Sequence, residues 1–234
     1  MIPPGFSRAV FLSHVNSPGM PVYPGDPEFE LRTATTIDGD GFYLQEVRIG
    51  EHSGTHWGAP AHFDPAGATA DALSAEDLIG PAAVIDVRAE AAADPDRALS
   101  LSDLRSFEGR NGRIPDGAFF LMHTGFDERW SNPTAYVNED PAGAMHFPGF
   151  ARDAADWLIR ERGVRGIGTD TMGVDPGSDE TFAVNRLLLH DRRIHLENLA
   201  NLGSMPPVGG WVVVGGMRNA GGSGGPATVF GLVP

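Results

Sequence analysis

Along the first third of the chain, apolar residues come in short runs broken by proline and glycine. AVFLSHV spans 9–15, FELRTATTI 29–37 and FYLQEVRIG 42–50, with SPGMPVYPGDP at 17–27 between the first two. Runs of this length, rich in β-formers and bounded by turn residues, predict short strands joined by fixed turns. GAFFLMHTG (117–125) and VRGIGTD (164–170) are apolar until they end on small or polar residues, and GPAAVIDVRAE (80–90) is similar. They predict buried strands, the first two delivering groups to a site at their ends.

The helical signal is local. LSAEDLIG (73–80) and SLSDLRSF (100–107) each carry a serine closely followed by acidic residues, the chemistry of a helix N-terminus. In ARDAADWLIRERG (151–163), Ala151, Ala154, Ala155 and Leu158 fall on one helix face, and Gly163 is a stop signal. The last quarter is glycine-dense, with VVV and TVFGLV able to form strands. Strand, helix and strand alternate through the second half while the ends are strand-rich. The pattern predicts an α/β fold with a mixed central β-sheet and packed helices, in one domain of residues 1–234.

Composition narrows the chemistry. The 234 residues carry a formal charge of −14 with pI about 4.8, which argues against a nucleic-acid partner. All 17 basic residues are arginine, so Schiff-base, pyridoxal-phosphate and P-loop chemistry are excluded, and the GGSGG tail has no following lysine to make it a phosphate loop. Cysteine is absent, which leaves any metal to His, Asp, Glu and water. No apolar stretch reaches the roughly 20 residues that a membrane helix needs, and the expectation is a cytoplasmic protein.

Three histidines, His52, His56 and His62, fall within eleven residues in EHSGTHWGAPAHFDP. Ser53, Gly54 and Thr55 are poor helix-interior residues, so a turn or bulged strand is expected. On a straight strand residues four apart sit about 13 Å from each other, too far for one ion, so shared ligation needs a bend that Gly54 is placed to permit. Trp57 and Phe63 flank the cluster and are candidates for stacking on an aromatic substrate, although core packing explains either equally well. Asp64, Asp170 and Asp175 are further acidic candidates, with turn formation the simpler role for Asp175.

His52-Ser-Gly-Thr-His56-x-x-x-Pro60-x-His62-Phe63 resembles the motif H-x-G-T-H-x-D-x-P-x-H of the cyclase family, which includes bacterial kynurenine formamidases and isatin hydrolase. LSH at 12–14, PVYPGDP at 21–27, HTG at 123–125, HFPGF at 146–150, GIGTDTMGVDP at 166–176 and LENLANL at 196–202 match other family segments in the same order. The resemblance implies metal ligands at the first two motif histidines and at an aspartate two residues on. It implies a proton shuttle at the third histidine, and a later histidine and glutamate twelve residues apart.

Carried over, His52, His56 and Glu197 are the candidate metal ligands and His62 the acid/base. The aspartate position is Gly58 and the late histidine position Asn185. Without the shared carboxylate one divalent ion, zinc or manganese, is expected rather than two, or none. His190 and His195 lie near Glu197 and are alternatives for the missing ligand, but a helix end running into a strand with surface histidines explains them more simply. Trp57, Phe63, Asn185 and Asp170 form the expected substrate pocket.

The resemblance also implies a swivelling β/β/α architecture, a small-molecule substrate and a homodimer or homotetramer. The leading functional expectation is metal-assisted hydrolysis of an amide, lactam or ester, with His62 taking and returning the proton. A metal-independent cyclase, dehydratase or isomerase using the same pocket, and a non-catalytic ligand-binding relative, are the alternatives.

Overall fold

Period-two alternation decides which way each strand residue faces, and it sorts the buried residues of the main sheet onto two faces. The computed structural model describes residues 3–234. In chain order the strands are β1 (Arg8–Phe11), β2 (Glu30–Thr35), β3 (Leu44–Arg48), β4 (His56–Gly58), β5 (Ile79–Asp86) and β6 (Ala98–Leu99). They continue with β7 (Phe119–His123), β8 (Gly149–Phe150), β9 (Gly166–Thr169), β10 (Ile194–Glu197), β11 (Val208–Gly216) and β12 (Gly224–Val233). The α-helices are α1 (Ile37–Asp40), α2 (Arg88–Ala93), α3 (Leu101–Asn111), α4 (Pro133–Val137), α5 (Arg152–Arg162) and α6 (Ala183–Leu188).

The main sheet runs β1-β12-β11-β5-β7-β9-β10-β4, and β4 pairs back onto β12, so seven strands close into a ring with β1 added outside. Parallel pairing joins β5, β7, β9 and β10, and the other pairs are antiparallel. A mixed sheet with packed helices is what the strand and helix pattern predicts. Closure is the addition, and it removes the open edges of the seven-stranded sheet. The β2–β3 hairpin stands apart as its own ladder.

Ala82, Val84, Phe119, Leu121 and Leu196 point into the ring and pack with Trp57, Val212 and Val229. Their neighbours Ala83, Ile85, Phe120, Met122 and Ile167 point out and meet Leu104 and Phe107 of α3, Ala154, Ala155 and Leu158 of α5, and Leu188 of α6. Ala154, Ala155 and Leu158 belong to the apolar face predicted from the 151–163 pattern, and Gly163 caps α5 in the left-handed conformation.

Ser100 and Asp103 form a reciprocal capping box that starts α3. Ser74 and Asp77 make the same box, but only the single 3₁₀ turn Ala75–Leu78 follows, because β5 begins at Ile79. Among the described residues no helix is long and apolar enough to cross a membrane.

Candidate active site

The site is built on the outer face of β4 and β10, which pair antiparallel with Glu197 opposite His56, Leu196 opposite Trp57 and His195 opposite Gly58. Opposed residues on one face have neighbouring side chains, so this register alone brings His56 against Glu197 and His195 over Gly58. His52 comes from the turn before β4, where Gly54 takes φ 66°, and His62 from the 3₁₀ turn after it. The bend brings the His52 and His56 ring centroids to 5.1 Å, and His62 stacks on His52 at 3.7 Å.

Glu197 Oε2 lies 3.1 Å from His56 Nε2 and Oε1 lies 3.5 Å from His195 Nδ1. Its Oε1 accepts from the Val174 amide at 2.9 Å. The structure therefore brings His52, His56, His62 and Glu197 to one place.

His195 departs from its reading as a surface residue: it is 1% exposed, and its ring centroid is 5.5 Å from that of His56 and 5.9 Å from that of His52. Strand alternation explains the placement, since Leu196 faces the ring interior and its neighbours must face the site. His190 is on the surface beside Asp64. Asn185 Oδ1 lies 2.6 Å from His195 Nδ1, and Asn185 Nδ2 donates to Asp175 Oδ2 at 2.9 Å. Asp175 also accepts the Val184 and Asn185 amides, anchoring the start of α6 as well as its own turn.

Two pocket expectations are corrected. Trp57 is fully buried in the ring interior, because it alternates with His56 along β4 and points the other way. Asp170 is fully buried too, its carboxylate accepting from the Thr124 amide and hydroxyl and the Gly125 amide, so it staples the HTG turn rather than lining a pocket. Phe63 and Asn185 do line the cavity, about 240 Å³ in volume, that opens onto His52, His56, His62 and Glu197. Tyr23, Asp26, Phe147 and Phe182 are among its other walls. Sequence reasoning missed these four; PVYPGDP and HFPGF contained two walls' worth of signal as family segments, but nothing in them told which side chains turn inward.

Burial, followed by the neighbouring imidazoles, holds His52 far below 6.5. Burial pushes His195 down to about 3 against the opposing pull of Glu197, and burial also lowers His62. Burial works against the charge on Glu197, yet His195, His56 and the Val174 amide hold it at about 2. The site at neutral pH thus combines an anionic carboxylate with neutral imidazoles at His52, His62 and His195.

Hydrogen bonding fixes which ring nitrogens are free. His56 Nδ1 donates to the Gly54 carbonyl at 2.9 Å, and His195 Nδ1 donates to Asn185 Oδ1. His52 Nε2 meets Ser223 Oγ at 2.9 Å, and that hydroxyl donates onward to Glu51. The opposite nitrogens, His52 Nδ1, His56 Nε2 and His195 Nε2, are buried without a hydrogen-bond partner. One nitrogen from each of the three rings lies within 4.8 Å of the others. Imidazoles anchored at one nitrogen and bare at the other are the usual dress of metal-ligating histidines. His56 Nε2 also faces Glu197 Oε2 at 3.1 Å, a contact that either a proton or a cation between the two satisfies. These residues fit one divalent cation.

Comparison with known proteins places this geometry. The family model described as "Putative cyclase" matches residues 10–176. The chain is 33% identical over 218 residues to an isatin hydrolase from Roseibium aggregatum, covering 89% of this chain and 82% of that protein. It is 29% identical over 191 residues to a kynurenine formamidase from Erythrobacter litoralis, covering 80% and 77%. A solved isatin hydrolase bound to the product analogue thioisatinate superposes with a TM-score of 0.92 at 30% identity, covering 97% of this chain and 92% of that one.

Proposed function

The chain belongs to the cyclase family, and from that premise we propose that it is a metal-dependent hydrolase of C–N bonds other than peptide bonds, opening an amide or lactam of a small aromatic molecule. The observation that carries this reading is the convergence of three buried imidazoles, one nitrogen of each within 4.8 Å of the others, beside Glu197 and next to an aromatic-lined cavity. Its relatives' names point to the same bond type.

His52, His56 and Glu197 are the residues proposed to hold the ion, with His195 beside them. When bound, a divalent cation supplies Lewis-acid polarisation of the scissile carbonyl and makes water acidic enough to attack near neutral pH. The remaining work belongs to the protein. Phe63, Phe147, Phe182 and Tyr23 offer flat apolar walls to an aromatic ring and exclude bulk water from the reacting bond. His62 is kept neutral by burial, so its free nitrogen accepts the proton of the attacking water. As the carbon–oxygen bond forms and the carbon–nitrogen bond breaks, the same ring returns that proton to the departing nitrogen.

The proposal includes one domain of the swivelling β/β/α type, assembled as a cytoplasmic homodimer or homotetramer. Support for these finer points comes from the family resemblance.

Turnover of an aryl N-formyl amide, an isatin-type lactam and an aryl ester tests the reading. We expect hydrolysis of the amide or the lactam, lost on chelation, restored by zinc or manganese, and abolished in His56→Ala; cleavage of the ester alone would contradict a C–N hydrolase. His62→Ala should lower kcat by about 10²–10⁴-fold. An equally active metal-free preparation would contradict the metal and favour proton-transfer chemistry alone. Tight binding with no turnover across the panel would instead make the protein a ligand binder.

A further inference from the structure

Position 58 is glycine, and its partner across the β4–β10 ladder is His195. A Cβ built at position 58 would overlap the His195 ring, Nε2 first. An aspartate at 58 and this imidazole therefore exclude one another. On the far side of the ring, the Asn185 amide is polarised by Asp175: its Nδ2 donates to that carboxylate, so its Oδ1 is left to accept. The proton of His195 is thereby fixed on Nδ1, Nε2 is left buried without a hydrogen-bond partner, and one nitrogen of this ring lies within 4.8 Å of one from His52 and one from His56.

We propose that the two departures from the family motif are a single exchange. Gly58 vacates the space of a carboxylate, His195 enters it as a ligand, and Asn185 acts as a positioning residue for that ring. The result is a three-imidazole site formed by His52, His56 and His195, with Glu197 alongside. Replacing a hard carboxylate oxygen by an imidazole nitrogen favours zinc over manganese. The inference rests on the reading that this cavity holds a divalent ion.

X-ray absorption on the zinc-loaded wild-type protein counts the imidazoles directly and needs no substitution. Three imidazoles on zinc are expected. Chelator competition should then show His195→Ala weakening zinc by about 100-fold or more, and Asn185→Leu by about 10–100-fold, the cost of losing a ligand's hydrogen-bond partner. Gly58→Asp combined with His195→Ala should bind an ion again and shift the preference toward manganese. Two imidazoles on zinc, with affinity unchanged in His195→Ala, would overturn this inference and leave the metal-dependent reading standing. A wild-type protein that takes up no zinc would overturn both.

Discussion

Trp57 and His56 are adjacent in the chain and opposite in space, and the free energy that each controls is different. Trp57 is fully buried among apolar side chains inside the closed sheet, and its indole nitrogen has no hydrogen-bond partner. Trp57→Ala should cost about 3–5 kcal/mol through lost burial and a residual cavity, while Trp57→Phe should cost far less. Urea denaturation reads both. Unchanged stability in Trp57→Ala would return the ring to the substrate pocket. His52, His56 and His62 could be read from the sequence because one bent segment carries all three. His195 is an alternative ligand that reads more simply as a surface residue, because its burial depends on the pairing of β10 with β4, a strand more than a hundred residues away. A glycine in place of a ligand read as a loss; in three dimensions it is the space occupied by another side chain.

Helix ends and helix contacts carry their own signatures. Between α3 and α5, Arg162 grips the Glu108 carboxylate at 2.6 and 2.7 Å, and Glu108 also accepts the Ile114 amide at 2.9 Å. The Arg162 hydrogen bonds hold Glu108 below its ordinary 4.5, against a smaller opposing effect of burial. A carboxyl whose folded-state value is depressed binds fewer protons folded than unfolded in the window between the two values. Its contribution to stability is therefore complete above about pH 4.5 and is lost as pH falls through the lower, folded-state value. Glu108→Gln should be less stable than wild type near neutrality, and the gap should close under acid conditions; denaturation midpoints measured across pH 3–7 would show a constant gap if the ion pair were idle. The α3 and α5 patterns were legible because capping and amphipathic spacing are local. The serine at 74 shows the limit, since a correct capping box opened a helix that the next strand cut to one turn.

At the scale of the whole molecule, closure of the sheet is what assembles the site. The three residues of β4 pair with β10 on one side and with β12 on the other, and this strand carries His56 into register with Glu197. Strand identities and the mixed sheet follow from patterning, but the ring does not. Its last joint sets Gly224 against Gly58 and Gly225 against Trp57, and a Cβ at Gly224 would collide with the Trp57 carbonyl. The glycines of the tail thus form a close-packed seam, a close backbone approach that the lack of a Cβ permits. The account makes one claim from which its function follows: buried imidazoles of the β4 segment and of β10, with Glu197, bind one divalent ion. Calorimetric titration of zinc into the chelator-stripped wild-type chain tests it directly. One ion per chain is predicted, with binding lost in His56→Ala. No uptake by the wild type, or equal uptake by the variant, would contradict it.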